Sequence, residues 1–565
     1  MEQMFDKVSK RCCILMREKY RWKLHQSGDI KVWFCGYLYS SSINSMFKKI
    51  SSIFHNASTS KHDVFHWINS ISGNFAIVIE TDIWIIAVVD KICTIPIFIF
   101  EREDGIAISN HAPLLKNKYN INNLNLSAGL EISMSGYTVG NKTLYQGLER
   151  LEGGECVIYH NNILLREYYY TYSPWKASVR SKSKLAKDFT DTCISTLINL
   201  KNSANGRQIV IPLSAGNDSR LIASGLKELG VKNVVCFSYG RKGNFETPIS
   251  KVIAEKLGYK WLYLTTSIKN KGSFFKSDVY KEYVLEFESY GSIPSVQEVY
   301  EVSLLKQNPL INDDAIIVNG NSGDFISGGH VSTILDVKYA PKNIDEVNWT
   351  VFLNKHYSLW QDLRTEVNDS YIVSELKKVF LSRSTALIDF EKYHYAIMES
   401  IECIGRQSRY VIGQQRIYEY FGYEWRLPLW SDEMLNFWES VPYEYKVGQN
   451  LYIETLRKNN WGSVWLDIKV NDKEINPYFL RWTRALLKFL SIPLGKKKWH
   501  RLEKNILEYF MHPSNAPSAV PYLNMLFDSR GHRNTNSWLA DKMLKKHGLG
   551  SRIWRKNEKF FFNDL

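Results

Sequence analysis

The hydrophobic rhythm of the chain changes along its length. Up to about residue 175, β-branched and aromatic runs at 30–39, 75–80, 83–89, 95–100 and 106–109 are separated by turn residues, which predicts strands. A helical pattern at 64–71 precedes Gly73-Asn74-Phe75-Ala76, and a turn at Glu152-Gly153-Gly154-Glu155 leads into a hairpin of 156–159 and 163–170. After Ser173-Pro174-Trp175 the period lengthens. A helix at 185–200 is followed by apolar strands at 209–213, 231–239 and 260–264, with amphipathic helices after the first two, ending at Gly230 and Gly258. Another buried strand is predicted at 315–318. Such alternation predicts an α/β fold with a doubly wound parallel sheet, helices on both faces and ligands at the carboxyl ends of the strands. Residues 330–480 read as helical, and 478–492 as an amphipathic helix opening a basic, aromatic tail.

Composition narrows the class of protein. A length of 565 residues predicts two or more domains, divided here as 1–178, 179–470 and a helical extension over 471–565. The formal net charge of +14 favours anionic partners without choosing among nucleotides, acidic sugars and lipid surfaces. The 8 cysteines form no C-x-x-C pair or Cys/His metal spacing, which argues against zinc. Several sit in apolar strand patterns as buried thiols. With no apolar h-region among the first residues, they point to a reducing cytoplasm. The most apolar stretch, 83–100, is cut by Asp90-Lys91 and Pro96 and reads as two strands rather than a membrane span.

Two loops carry the candidate chemistry. The strand at 209–213 breaks into Ser214-Ala215-Gly216-Asn217-Asp218-Ser219 and then a helix. Strand, tight polar turn and helix start make an anion cradle of backbone N–H groups and helix dipole. No Gly-Lys-Ser/Thr ends the loop, so it is not a Walker P-loop. The strand at 315–318 runs into Asn319-Gly320-Asn321-Ser322-Gly323-Asp324, then Phe325-Ile326-Ser327-Gly328-Gly329-His330. That glycine density marks close approach of backbone to a ligand. At the end of the strand predicted at 231–239 lie Phe237 and Ser238, so a nucleotide is expected across 214–219 and 237–238.

The first loop resembles the S-G-G-x-D-S pyrophosphate loop of enzymes that split ATP into AMP and pyrophosphate. The second resembles the S-G-E-G-A-D-E-x-F-G-G-Y stretch of the asparagine synthetase family, with Asp324, Gly320, Gly328 and Gly329 in register. The front of the chain resembles that family's class II glutamine amidotransferase domain, a four-layer αββα fold, at Gly73–Ala76, Asp90 with Pro96-Ile97, and Leu151–Gly154. The resemblance implies ATP and Mg²⁺ as cofactors. Asp218 and Asp324 would hold the metal of Mg-pyrophosphate, backbone at 237–238 would hold adenine, and Glu246 would stand at the family's Glu position. A Lys contacting phosphate is also expected, with Lys458, Lys469 and Lys473 as candidates. Arg406, Arg409 and Arg426 suit an acidic substrate, since guanidinium forks bind carboxylates, although ion pairing among helices accounts for them equally well.

The departures are specific. The family's amidotransferase nucleophile is a terminal Cys, whereas this sequence reads Met1-Glu2-Gln3, with Cys12 and Cys13 further in. Loss of glutaminase activity is therefore expected. Position 321 is Asn where the family has a catalytic Glu, and an amide cannot accept the amine's proton. The expected activity is ATP-dependent adenylation of a carboxylate followed by acyl transfer to an amine. The stretch 419–430 resembles members from bacterial surface-polysaccharide synthesis, where the acid is a uronic acid. Two alternatives stand beside it: a glutamine-hydrolysing asparagine synthase, and a tRNA-directed ATP pyrophosphatase or inactive scaffold. Nucleic acid is not expected as a partner, since the basic residues are dispersed and no RNA module is present. For the tail, peripheral membrane contact competes with a solvated helical appendage.

Overall fold

A computed structural model describes residues 8–556 apart from 10–11, 40–41, 55–59, 104, 161–162, 332–340, 384–387, 471–478, 508–509, 511–518, 529, 531–533, 535 and 551–552. Met1–Gln3 and Lys473 lie outside the described residues.

The strand-rich front forms two stacked sheets. In chain order its strands are β1 (Val8–Ser9), β2 (Cys12–Leu15), β3 (Lys23–Ser27), β4 (Ile30–Leu38), β5 (Gly73–Glu80), β6 (Trp84–Val89), β7 (Phe98–Arg102), β8 (Gly105–Ser109), β9 (Leu148–Arg150), β10 (Glu155–His160) and β11 (Ile163–Tyr168). One sheet runs β1-β2-β8-β7-β9 and the other β11-β10-β6-β5-β4-β3. Alternation along β5 explains the layering. Ala76 and Val78 enter the core between the sheets, while Phe75, Ile77 and Ile79 pack with Met46, Ile50, Val64 and Trp67 of the helices Ile43–Phe54 and Lys61–Asn69. The second helix starts on a capping box of Ser60 and Asp63, the sequence signal for its N-terminus. Helices Ala112–Lys118 and Leu126–Ser135 follow β8, the first against it, which completes the four-layer α+β arrangement.

Asp90 organises the turn after β6. Its buried carboxylate accepts the N–H groups of Phe75 (3.0 Å), Ile92 (3.0 Å) and Thr94 (3.1 Å), while burial pushes it up to about 6. Cys12 and Cys13 are core residues of β2, which pairs with β1 on one side and β8 on the other. Burial pushes the Cys12 thiol up to about 12, so it holds its proton at neutral pH.

The second half is built on a wholly parallel sheet ordered β14-β13-β12-β15-β16. Its strands are β12 (Ile209–Pro212), β13 (Val234–Gly240), β14 (Lys260–Thr265), β15 (Ile316–Val318) and β16 (Glu424–Arg426). From central β12 the chain winds outward through β13 and β14, then returns to the other side of β12 with β15. That reversal puts the carboxyl ends of β12 and β15 side by side and opens a crevice above them. One continuous apolar core joins the front sheets to this sheet.

The tail is not one solvated appendage. Helix Ser537–Lys546 packs on Leu126–Ser135, the indole N–H of Trp554 donates to the Leu126 carbonyl (3.1 Å), and Tyr145 and His547 share a hydrogen bond of 3.0 Å. Gly129 is needed there, because a Cβ would stand 2.7 Å from the Trp554 ring. The sequence reading missed this return because its periodicity shows which face is apolar, not what covers it.

At the sheet edge, Glu424 accepts both nitrogens of Arg207 (2.7 and 3.0 Å) and pairs with Arg426 (3.1 Å) and Arg21. Burial opposes its charge, but these partners hold the carboxyl down at about 2. A folded value below the unfolded one means the stabilisation is present above roughly pH 4.5 and fades as pH falls toward 2. Glu424→Gln is expected to melt below wild type at pH 7, with the gap closing as pH drops through that window. Thermal melts at stepped pH check this, and a gap independent of pH would refute it.

Candidate active site

The crevice is an open cleft of about 380 Å³. It is lined by Ser214, Gly216, Asn217, Asp218, Ser219, Phe237, Ser238, Glu246, Gly320, Asn321 and Asp324, most of the residues singled out from sequence. Ala215 is fully buried beneath the loop, where its carbonyl accepts from Arg220 (3.2 Å).

The first loop is braced from within. Ser219 Oγ accepts the Ser214 N–H (3.1 Å), and Ser214 Oγ accepts the Gly216 N–H (3.1 Å). Helix Asn217–Glu228 then starts at Gly216 without a side-chain cap. Its first-turn N–H groups have no intrahelical acceptor, so the positive end of its dipole faces the cleft. That is an anion site set in a rigid turn.

The second loop is locked to the first. The Asp324 N–H donates to Asp218 Oδ2 (2.9 Å), and the Tyr452 hydroxyl donates to Asp218 Oδ1 (2.9 Å). Burial and then the nearby Asp324 push Asp218 up to about 7. Two glycines make the approach possible. A Cβ on Gly320 would lie 2.9 Å from the Ser219 nitrogen, and one on Gly323 would lie 2.5 Å from Asp218 Cγ and 2.6 Å from Leu429 Cδ1.

Beneath Asp324 runs a buried relay that sequence reading did not find. His330 Nε2 stands 3.4 Å from Asp324 Oδ2, and its Nδ1 is 2.6 Å from Glu402 Oε1. Glu402 also meets His356 (3.1 Å) and accepts from Gln407 (3.0 Å). Burial works against a charged His330, but its bonds to Asp324 and Glu402 win and push it up to about 9, an imidazolium at neutral pH. The Asp324 side chain is 58% exposed, and His330 first of all holds its carboxyl below the ordinary range. The pair is therefore asymmetric, with Asp324 the more readily ionised member.

Glu298 is the other residue the motifs did not reveal. It is 5% exposed, lines the same cleft, and takes a left-handed backbone (φ +69°). Its carboxylate accepts from Tyr239 (2.9 Å) and Tyr418 (2.7 Å), yet burial still raises it above the ordinary range. Asn321 donates to Gln414 (2.9 Å), which also hydrogen-bonds Glu298, so the amide at 321 and the carboxylate at 298 share one network. No short motif links the two positions, which is why the pairing needs the fold.

The arginines lie elsewhere. Arg406 reaches toward Glu402 (3.6 Å), and Arg426 pairs with Glu424 while covering the Tyr37 ring at 4.0 Å. Arg409, 2% exposed, lines a separate cavity with Arg150 between the front sheets and the second half. None of the side-chain nitrogens of Arg409 has a hydrogen-bond partner among the described residues. Burial pushes it down to about 10. An unpaired buried charge is costly. Arg409→Met is therefore expected to raise stability by on the order of 1 kcal/mol or more, read as a higher denaturation midpoint; a clear loss of stability would refute it.

Among the described lining residues the cleft carries Asp218, Glu246, Glu298 and Asp324 but no Lys or Arg. Lys458 and Lys469 do not line it. A polyphosphate enters so acidic a cleft only with a cation. The oxygen donors of Asp218 and Asp324 suit Mg²⁺, which binds through one or two carboxylates plus substrate phosphates. A stand-alone metal site is not built: no cluster of three or more His, Cys, Asp or Glu side chains fit to hold an ion occurs among the described residues.

Comparison with protein-family models gives no match, and comparison with curated proteins gives none. Among solved structures the chain is similar to the allosteric regulatory enzyme of purine biosynthesis (13% identity, TM-score 0.18, 43% of this chain and 62% of that one). It is similar also to glutamine phosphoribosylpyrophosphate amidotransferase from B. subtilis complexed with ADP and GMP (11%, TM-score 0.18, 54% and 64%). A further similarity is to NH3-dependent NAD synthetase from Campylobacter jejuni in complex with nitrate ion (16%, TM-score 0.18, 39% and 96%). The chain thus spans under two thirds of the length of the first two.

Proposed function

We propose that the protein is an ATP-dependent amide ligase that adenylates a carboxylate and transfers the acyl group to an amine. The observation that carries this reading is the docking of Asp324 on Asp218 beside an uncapped helix N-terminus. In the first step a carboxylate oxygen attacks the α-phosphorus of ATP, forming acyl-AMP and releasing pyrophosphate. The first-turn N–H groups at 217–219 hold phosphate oxygens there. Asp218 and Asp324 would hold Mg²⁺, which would supply charge neutralisation on the leaving pyrophosphate. In the second step the amine nitrogen attacks the acyl carbon, AMP leaves, and one proton must be removed. Asn321 cannot take that proton; Glu298, a buried carboxylate with raised proton affinity, takes it. The acid is a sugar uronate or similar, a reading supported by the resemblance at 419–430. No glutaminase step and no nucleic acid enter this scheme.

The test is ATP–pyrophosphate exchange with panels of carboxylic acids. Exchange dependent on one class of acid supports the ligase, and no exchange with any acid removes the reading. The glycine contacts add a steric test: Gly323→Ala is expected to lower exchange by roughly a hundredfold, because the added methyl forces the two loops apart and displaces Asp218. Retained exchange in a folded variant would show that the loops separate without cost.

A further inference from the structure

The start of the tail holds a surface that the ligase reading does not use. Helix Phe479–Leu490 carries two apolar stripes. Leu480 and Leu487 turn inward to a small core with Trp499, Ile506, Leu507 and Phe510. The other stripe faces solvent: Trp482 and Phe489 are each 69% exposed, and Leu486, Leu490, Ile492 and Leu494 continue the patch. Positions 482, 486, 489 and 490 fall on one side of a helix by their spacing. An exposed patch this size is unusual on a monomer and marks a docking surface.

Charge identifies the occupant. From Phe479 to Leu502 there is no Asp or Glu, while Arg481, Arg484, Lys488, Lys496, Lys497, Lys498 and Arg501 are basic. Lys488, Lys496 and Lys498 are exposed and make no ion pair among the described residues. Arg484 is spent internally, on Glu503 and over the Trp499 ring at 5.8 Å. No described helix is long and apolar enough to cross a membrane. An apolar stripe of Trp, Phe and Leu flanked by cations, too short to span, fits the boundary between anionic headgroups and acyl chains. We infer that residues 479–502 dock the protein on an anionic lipid surface, with Trp482, Leu486 and Phe489 inserted and Lys488, Lys496 and Lys498 against the headgroups. This inference is independent of the ATP chemistry.

Co-sedimentation of the full chain with vesicles tests it. Wild type is expected to bind phosphatidylglycerol-containing vesicles at low salt and to bind pure phosphatidylcholine at least roughly tenfold more weakly. Trp482→Ser with Phe489→Ser removes insertion, and Lys488→Glu with Lys496→Glu and Lys498→Glu removes attraction. Each set is expected to weaken binding roughly tenfold or more, and all these side chains are exposed, so the fold is retained. Absence of wild-type binding to anionic vesicles overturns the inference, as does unchanged binding by both variant sets. A dimer in analytical ultracentrifugation that Trp482→Ser abolishes, without vesicle binding, overturns it in favour of a second copy.

Discussion

Asp218→Ala is expected to lose ATP–pyrophosphate exchange by at least about a hundredfold while its thermal melt stays close to wild type. Its carboxylate accepts only from Tyr452 and the Asp324 N–H among the described contacts, and it stands at a cleft wall rather than in the apolar core. Removing it leaves one carboxylate, Asp324, to neutralise the pyrophosphate through the metal. Raising Mg²⁺ is expected to recover part of the loss, because the defect is in holding a cation that the phosphates still attract. An unchanged exchange rate in Asp218→Ala would place the phosphates elsewhere in the cleft. Loss of exchange together with a large drop in melting temperature would make Asp218 a structural residue instead.

The loops were legible in the sequence because each follows a short, strongly apolar strand. Ile209–Ile211 and Ile316–Val318 are buried β-branched runs of neighbouring strands in the middle of the parallel sheet, so the loops that follow them stand side by side at its carboxyl end. The glycine density of 319–330 predicted close approach of backbone to a ligand; at Gly320 and Gly323 the close approach is to the first loop itself. The strands of the front half were legible as apolar runs, but their layering came only from the family resemblance: β5 and β6 are apolar on both faces because the faces pack into two opposite cores. What was not legible depends on contacts far apart in sequence. Tyr452 reaches Asp218 across 234 positions, and Asn321 meets Glu298 through Gln414 and through Asn319 and Tyr418. No periodicity encodes such meetings. The arginines had two readings, substrate recognition or ion pairing among helices, and Arg406 and Arg409 are not among the residues lining the cleft. Of the candidates for a phosphate-binding Lys, 458 and 469 do not line the cleft and 473 lies outside the described residues, while His330 stands beside Asp324.

Glu298→Gln separates the two half-reactions. The amide is nearly the size of the carboxylate and still accepts from Tyr239 or Tyr418 through its oxygen, so the cleft keeps its shape. Adenylation needs no proton acceptor, because the attacking group is already a carboxylate. Exchange is therefore expected to persist within a fewfold of wild type. Amide formation does need an acceptor, and it is expected to fall by roughly 10² to 10⁴. Single-turnover quenches would show acyl-AMP accumulating in the variant where wild type passes on to amide and AMP. Because burial raises Glu298, wild-type amide formation is expected to decline as pH falls toward its elevated value, and that limb is expected to vanish in Glu298→Gln. Asn321→Glu is the complementary variant, since it places a second carboxylate on the Gln414 network. In the Glu298→Gln background it is expected to restore part of the amide-forming rate. Equal rates of both half-reactions in Glu298→Gln would move the base to another group, and loss of exchange in that variant would mean that Glu298 holds the nucleotide instead.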